Sequence, residues 1–367
     1  MRPAVVCWSW LSYSESFILD HFRSLGEAIF IEGQPPRAVS DPRPYKPGWL
    51  HLLRRFVARY FWEPRPAAMK SRYVRLFQGH KIDVVLAEYG PTGVHCASAC
   101  RACEIPLVVH FHGFDLTSSA SLARYADAYR VILPEAAAVV VVSQPMLELA
   151  IRLGARRERL ALIPCGVDCE RIRPCSPVGN EKRLLYVGRF VPKKAPDLML
   201  RAFARTLARV PQARLVLVGD GELLPRCRSL ARALGLGDSV SFLGVLSPDR
   251  VLEEMRRARA VILFCQIAPD GNSEGSPVTL MEAGACGLPV VSTRHGGVPE
   301  IVSDEVTGLL CEPGDQERFS DSCVRLLLDP ELAGRLGQAA RQRVESLYSQ
   351  ALAIEKLKAV LQKAGGT

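Results

Sequence analysis

The 367-residue chain lacks any apolar run near 20 residues, the length a helix needs to cross a bilayer, so a helical membrane span is excluded. It lacks short-period repeats and low-complexity tracts, which excludes a solenoid. The opening MRPAVVCWSWL turns polar at Ser12 and has no small-residue cleavage site. It reads as a first strand and not as a signal peptide. Twelve cysteines are present, but a chain of this size needs no disulfide scaffold and shows no secretion signal. Free thiols in a reducing cytoplasm are expected.

Hydrophobic residues make up 48% and charged residues 23%, the balance of a soluble globular protein. The length exceeds one ordinary core and suits two domains. The net charge of +9 is concentrated. Residues 41–81 hold ten Lys/Arg against two Asp/Glu, together with Trp49, Phe56, Tyr60, Phe61 and Trp62. Cations beside aromatic rings suit an anionic membrane surface. A solvated helical face over core aromatics explains the same residues. Nucleic acid is disfavoured, because no recognised nucleic-acid motif accompanies the charge.

Short apolar runs alternate with amphipathic segments throughout. Strands are expected at Ala4–Trp8, Ile82–Leu86, Leu107–His110, Val139–Val142 and Leu160–Ile163. In the second half they are expected at Arg183–Val187, Arg214–Val218, Val240–Leu243, Ala260–Phe264 and Pro289–Ser292. Runs rich in Val, Ile and Leu without alternation are those of strands buried on both faces of a parallel sheet. Pro196–Arg209 and Pro248–Arg259 read as helices between them. Repeated β–α units imply an α/β fold of doubly wound sheets. The stretch Arg171–Glu181, with two prolines and a glycine, suits a linker. Two Rossmann-like domains of similar size are expected, 1–174 and 182–345. Residues 346–367 are expected to form a helix returning to the first, with apolar positions at Leu352, Ile354, Leu357, Val360 and Leu361.

Ligands of open α/β sheets bind at the carboxyl ends of strands. Beyond Tyr186–Val187 comes GRFVPKKAPD, where Arg189 and Lys194 stand five residues apart. The two cations can neutralise a diphosphate, Arg by a planar fork and Lys as a point charge; surface cations are the plainer reading. Beyond Ala260–Phe264 a polar loop reaches Glu274, and a helix starts near Pro277. Its first-turn N–H groups favour anions. Glu282 follows Glu274 with seven residues between. Carboxylates beside phosphates make sense as acceptors for sugar and ribose hydroxyls. Glu274 stabilising the helix start and Glu282 as a solvated position are the simpler alternatives.

In the first half, the Leu107–His110 strand leads into FHGFDL, placing His112 and Asp115 at its carboxyl end. His110 is expected to be strand-buried. Ser14 or Ser16 is a candidate helix cap, and Glu15 either contacts an acceptor or caps. Cys96, Cys100 and Cys103 have the C-x3-C-x2-C spacing of radical S-adenosylmethionine iron–sulfur enzymes. A helical stripe facing the core accounts for the same spacing.

The sequence resembles the retaining glycosyltransferases of family 4, of GT-B architecture. The likeness is densest in GRFVPKKAPD, VGDGE, FLG, the Glu274–Glu282 stretch and STRHGGVPEIV. YSESFI, HFHGFD and DGNSEGSPVTLMEA resemble the subgroup that assembles bacterial exopolysaccharides of the colanic-acid and amylovoran type. The resemblance implies two facing Rossmann-like domains with a cleft between them, and transfer of a hexose-type sugar from a UDP- or GDP-sugar. The acceptor would be a hydroxyl of a lipid-linked or cell-surface glycan. It implies that Gly188, Arg189 and Lys194 take the donor diphosphate and Glu274 the sugar hydroxyls. Gly275, Ser276, Pro277 and Val278 would form the helix-start cradle, with backbone amides from Ser276 and Val278. Glu282 would take the ribose, Gly244 and Val245 would lie beside the base, and His112 near the reacting sugar. No Asp-x-Asp pair is present to hold a metal, so no metal and no cofactor beyond the donor substrate is expected. The enzyme would be cytoplasmic or peripheral at the inner membrane face. Departures are Ala195 where a glycine is usual, Pro277 where glycine is frequent, and Cys165 in place of asparagine in PCGVD. A nucleotide-sugar-binding protein without transferase activity is the remaining alternative.

Overall fold

The computed structural model describes residues 1–8, 15–43 and 66–366. Trp49, Phe56, Tyr60, Phe61, Trp62, Tyr13 and Ser14 lie outside the described residues. The chain divides into two compact units: Met1–Leu116 with Ala120–Ile163 and Ile354–Thr367, and Thr117–Ser119 with Pro164–Ala353.

The first unit carries seven strands: β1 (Pro3–Cys7), β2 (Ile29–Glu32), β3 (Arg37–Val39), β4 (Val84–Glu88), β5 (Leu107–Phe111), β6 (Ala138–Val141) and β7 (Leu160–Leu162). Their order is β3-β2-β1-β4-β5-β6-β7. All pairs are parallel except β2 with β3. β1, β4 and β5 are buried at every position, which is why their sequences do not alternate. The strand expected at Ile82–Leu86 lies two residues later. Lys81 adopts φ 51, and the N–H of Ile82 closes back on Phe77 O at 2.9 Å, so the preceding turn consumes these residues. Strands β2 and β3 escaped the sequence reading because they are short and β3 is an exposed edge.

The second unit carries β8 (Arg183–Val187), β9 (Arg214–Val218), β10 (Val240–Gly244), β11 (Ala260–Leu263), β12 (Val290–Thr293) and β13 (Gly308–Cys311). The order β10-β9-β8-β11-β12-β13 is the doubly wound 3-2-1-4-5-6 arrangement, parallel throughout. In each sheet the winding reverses at one point, between β1 and β4 and between β8 and β11. Those are the places where such sheets bind ligands.

The C-terminal helix expected from Ser346 is present and begins at Gln350, running to Gly365 after the separate helix Pro330–Leu347. The break falls at Tyr348–Ser349, where the backbone leaves the helix to pair with Val167. Val167 N–H donates to Tyr348 O at 3.0 Å, and Gln350 N–H to Val167 O at 2.9 Å. Leu357 and Leu361 are buried. Of the basic segment, Pro66–Gly79 is a helix with Met69, Tyr73 and Phe77 buried and Lys70, Arg72 and Arg75 exposed. No described helix is long and apolar enough to cross a membrane.

Candidate active site

At the β8–β11 reversal, the loop after β8 and the loop after β11 meet through charge. Pro192–Lys194 forms one 3-10 turn, fixed by Gln266, whose N–H donates to Lys193 O at 3.0 Å and whose amide donates to Pro192 O at 3.3 Å. This turn aims both lysines at one carboxylate. Lys193 Nζ and Lys194 Nζ each lie 3.3 Å from Glu274 Oε1. All three side chains are buried. Lys193 Nζ also donates to Ser273 O at 3.2 Å. Burial by itself would raise the Glu274 pKa, but Lys193 and Lys194 outweigh it and hold the carboxyl at about 2. Lys193 was not singled out from sequence, although the KK pair in GRFVPKKAPD was the available signal.

The surroundings hold this group in place. A Cβ on Gly188 would come within 3.0 Å of Lys194 Cδ, so the glycine lets the lysine stem lie against the backbone. Gly296, at φ +56, allows its loop to approach Glu274; a Cβ there would sit 2.1 Å from Glu274 O. Beside it, His295 Nε2 is 3.0 Å from Ser273 Oγ, and burial lowers the His295 pKa. Ala195 ends the lysine turn in the left-handed region, φ 31 and ψ 54, and is fully buried. Glycine, the residue that the resemblance leads one to expect here, adopts that conformation without strain. Substitution Ala195→Gly is expected to change stability by less than about 1 kcal/mol, relief of left-handed strain offsetting lost rigidity. Ala195→Val should cost more than about 2 kcal/mol, since a branched side chain is excluded from this backbone region. Thermal unfolding of the three proteins checks this, and a valine variant as stable as the parent would contradict the geometry.

Arg189 is exposed at the same strand end and makes no ion pair with a described residue. Its carbonyl accepts from Tyr186 Oη at 2.8 Å. The helix after Glu274 is Val278–Ala285, with Pro277 as its N-cap residue and no side-chain cap. Ser276 Oγ is buried and bonds to no described residue, and the N–H groups of Ser276 and Val278 donate to none. Gly275 completes this loop and is buried. Glu282 lies one turn below Val278; burial raises its pKa, opposed by Arg171. Gly244 closes β10 with its carbonyl accepting from Gly219 N–H at 2.8 Å, and Val245 beyond it is half exposed. β10 stands two strands from β8, a spacing of about 10 Å across the sheet.

In the first unit, His112 follows β5 with its Nε2 2.7 Å from Glu88 Oε2. Asp115, expected to face a ligand, is fully buried. It accepts from the N–H groups of Gly90, His112 and Gly113 at 2.9, 3.1 and 3.0 Å, so it pins the loop. The helix Ser16–Ser24 is capped by Glu15 and not by a serine; the Glu15 side chain makes no capping bond but accepts from Tyr89 Oη at 2.9 Å. His110 is buried as expected. His21, Glu88 and His110 bring donor atoms within 4.8 Å, a set compact enough for an ion. The 2.8 Å contact from His21 to Glu88 is that of a hydrogen bond, while His110 Nδ1 stands 3.3 Å from the carboxylate and bonds to no described residue. The cysteines do not form a cluster loop. Cys96 and Cys100 lie buried in the helix Gly90–Ala102, one turn apart, and Cys103 is its C-cap. A hydrogen bond with Cys96 and burial push the Cys100 thiol up, away from the thiolate that an iron–sulfur centre requires. The iron–sulfur reading is thereby corrected to core packing. None of the cysteines forms a disulfide.

Comparison with known proteins decides the family. Residues 29–171 match the model for Glycosyltransferase Family 4, and residues 170–343 the model for Glycosyl transferases group 1. The chain belongs to the family 4 glycosyltransferases. Among relatives of this glycosyltransferase is the assigned colanic acid biosynthesis glycosyltransferase WcaL of Escherichia coli K12. It is 28% identical over 83% of this chain and 77% of its own length. The amylovoran biosynthesis glycosyltransferase AmsK of Erwinia amylovora is 24% identical over 89% of this chain and 81% of its own. A GDP-mannose-dependent phosphatidylinositol monomannoside mannosyltransferase of Mycolicibacterium smegmatis is 27% identical over 90% and 88%. Anabaena HepE, solved with UDP-glucose, superposes with a TM-score of 0.76 at 20% identity, covering 99% of both chains. The glycosyltransferase thus has the GT-B fold and groups with exopolysaccharide enzymes.

Proposed function

We propose that the protein is a retaining, metal-independent glycosyltransferase that moves a hexose-type sugar from a UDP- or GDP-sugar to a glycan hydroxyl. The observation that carries this is the buried Lys193–Glu274–Lys194 group at the β8–β11 reversal. Glu274 allows two lysines to be stored charged in a buried place. Both approach Oε1, so Oε2 is assigned to a sugar hydroxyl. Lys194 and Arg189 take the diphosphate, with the amides of Ser276 and Val278 and the Ser276 hydroxyl beside them. Gly188 and Gly275 keep the backbone close, and Pro277 withholds one N–H from the cradle. Gly244 and Val245 lie at the base and Glu282 at the ribose. A hexose donor with either base fits this span, as the UDP-glucose complex of HepE and the GDP-mannose-dependent relative illustrate for those proteins.

The reaction breaks the bond between the sugar and the diphosphate. Negative charge grows on the leaving phosphate, and fixed cations stabilise it where metal-dependent enzymes use an ion. No cofactor takes part beyond the donor. His112 of the first unit acts on the transferred sugar. A front-face course, in which the departing phosphate accepts the acceptor proton, retains the anomeric configuration and requires no protein nucleophile. Proton NMR of the anomeric signal in the first-formed product tests this: retention is expected, and inversion would overturn it.

The acceptor is assigned to a lipid-linked or cell-surface glycan intermediate, reached from the cytoplasmic side. Residues 41–81, with their excess of +8, would bring the enzyme to an anionic membrane surface rather than to nucleic acid. Replacing Arg54, Arg55 and Arg59 by alanine is expected to weaken cosedimentation with phosphatidylglycerol vesicles by roughly 10-fold or more, at about 1 kcal/mol per charge. Unchanged binding would point to a soluble acceptor.

A further inference from the structure

The carboxyl end of the β1–β4 reversal gathers metal-ligand side chains from three elements of the first unit. Glu88 closes β4, in register with Cys7 of β1 and His110 of β5. His21 reaches the same point from the helix Ser16–Ser24. His21 Nδ1 lies 2.8 Å from Glu88 Oε1, and His110 Nδ1 lies 3.3 Å from Glu88 Oε2. The donor atoms of the three residues all lie within 4.8 Å of one another. All three side chains are buried, and all three belong to the same compact unit.

Hydrogen bonding explains only part of this arrangement. His21 is satisfied at Nδ1 by Glu88, and His112 Nε2 lies 2.7 Å from Glu88 Oε2. His110 is not satisfied. Both of its ring nitrogens are buried and bond to no described residue. A neutral imidazole carries one donor and one acceptor, and burying both without partners is costly. The spacing fits a different kind of partner. Donor atoms bound to one zinc ion at about 2.0–2.1 Å stand about 2.9 Å apart at a right angle and about 3.3 Å apart at the tetrahedral angle. The observed separations of 2.8 and 3.3 Å lie close to those edges.

We propose that His21 Nδ1, His110 Nδ1 and the Glu88 carboxylate form a binding site for one divalent transition-metal ion, with zinc as the ion this donor set suits. Two imidazoles and one carboxylate recur as zinc ligands, with water in a fourth place. Magnesium and calcium are disfavoured, because two of the three donors are nitrogen. The protonation states agree. Burial and the neighbouring His112 lower the His110 pKa to about 3, so its ring is neutral. Burial opposes the Glu88 charge, but the imidazoles of His21 and His110 outweigh it and the carboxylate is ionised. When the ion binds, the Nδ1 proton that His21 donates to Glu88 is exchanged through solvent for one on Nε2. The ring then stays neutral and ligates through its Nδ1 lone pair. His112 keeps its contact with Glu88 Oε2 and orients the carboxylate from outside. The ion joins the helix Ser16–Ser24 to β4 and β5 and serves the fold of the first unit; the sugar transfer assigned to the lysine turn does not use it.

The test uses the untagged full chain, stripped with a chelator and then given zinc chloride. Metal content after desalting is read by mass spectrometry, and affinity by calorimetry. One zinc per chain is expected, together with a raised unfolding temperature. Cobalt(II) is the spectroscopic probe, because twelve cysteines compete for zinc. Imidazole and carboxylate ligands give its visible bands without the near-ultraviolet charge-transfer band of a thiolate ligand. His110→Phe, which keeps a ring in the core, and Glu88→Gln are each expected to weaken zinc binding by roughly 100-fold or more. No zinc retained by the parent, cobalt bound only with the thiolate band, or equal zinc affinity in the parent and a folded His110→Phe would each overturn the site. Should neither variant fold, the parent labelled with 15N-histidine decides. Zinc is expected to move the ring nitrogen resonances of His21 and His110, and resonances that stay in place would overturn the site.

Discussion

Lys194→Ala is expected to lower kcat/KM for sugar transfer by about 10²- to 10³-fold while the protein stays folded. The size follows from removing one fixed charge aimed at a leaving group, worth about 3–4 kcal/mol in comparable anion-stabilising sites. The selectivity follows from the geometry. An ammonium has three donors. Lys193 commits its own to Ser273 O and Glu274, whereas Lys194 contacts only Glu274 among the described residues. Lys194 therefore has capacity left for a diphosphate, and Lys193 has little. Lys193→Ala should accordingly cost less activity and more stability. In Lys194→Ala, Lys193 still neutralises Glu274, so no buried charge is left alone. Steady-state kinetics and thermal unfolding on both variants distinguish the roles. Equal losses of activity in the two would mean that the lysines act as one unspecific patch.

Glu274→Gln carries the second large effect, and this one is on stability. It leaves Lys193 and Lys194 buried without their counter-charge, a situation that costs about 3–5 kcal/mol when one partner of a buried pair is removed. The pH dependence gives the sign. The folded carboxyl is held at about 2, below its ordinary value in the unfolded chain. Its contribution, about 3 kcal/mol from that difference, is complete above roughly pH 5 and disappears as pH falls toward 2. Parent and Glu274→Gln should thus differ most at neutral pH and converge in acid, as read by denaturant unfolding at a series of pH values. A gap that stayed constant with pH would mean the variant is destabilised by packing instead. Addition of UDP or GDP should stabilise Glu274→Gln more than the parent, because a diphosphate supplies the missing negative charge. Transfer should be lost in the same variant, since Glu274 is also assigned to the sugar.

The contrast between the two charged groups shows what a sequence can disclose. Arg183–Val187 and Arg214–Val218 are strands with the bounds expected from their apolar runs, and Pro196–Arg209 is a helix with the expected bounds. Local pattern suffices there because burial on both faces leaves a continuous apolar stretch. Glu274 and Lys194 were legible because they lie in short motifs at strand ends. Lys193 was passed over because nothing in sequence says that Ala195 turns left-handed and closes a 3-10 turn before it. The Glu88 cluster was invisible for a different reason. His21, Glu88 and His112 come from a helix and two strand ends far apart in the chain, and only the β1–β4–β5 register brings them together. A lone glutamate ending the apolar run VVLAE was the available sign. Arg37–Val39 was missed because three residues, two of them exposed, carry no apolar pattern.

The central claim is that a nucleotide-sugar binds at the lysine turn. Its most direct test is the unfolding temperature of the parent and of Lys194→Ala with a panel of UDP- and GDP-sugars. At a ligand concentration about 100 times its Kd, a bound donor stabilises by about 2.7 kcal/mol. The expected result is a clear upward shift with at least one donor in the parent and little or none in Lys194→Ala. No shift with any donor in the parent, or the same shift in both proteins, would contradict the account.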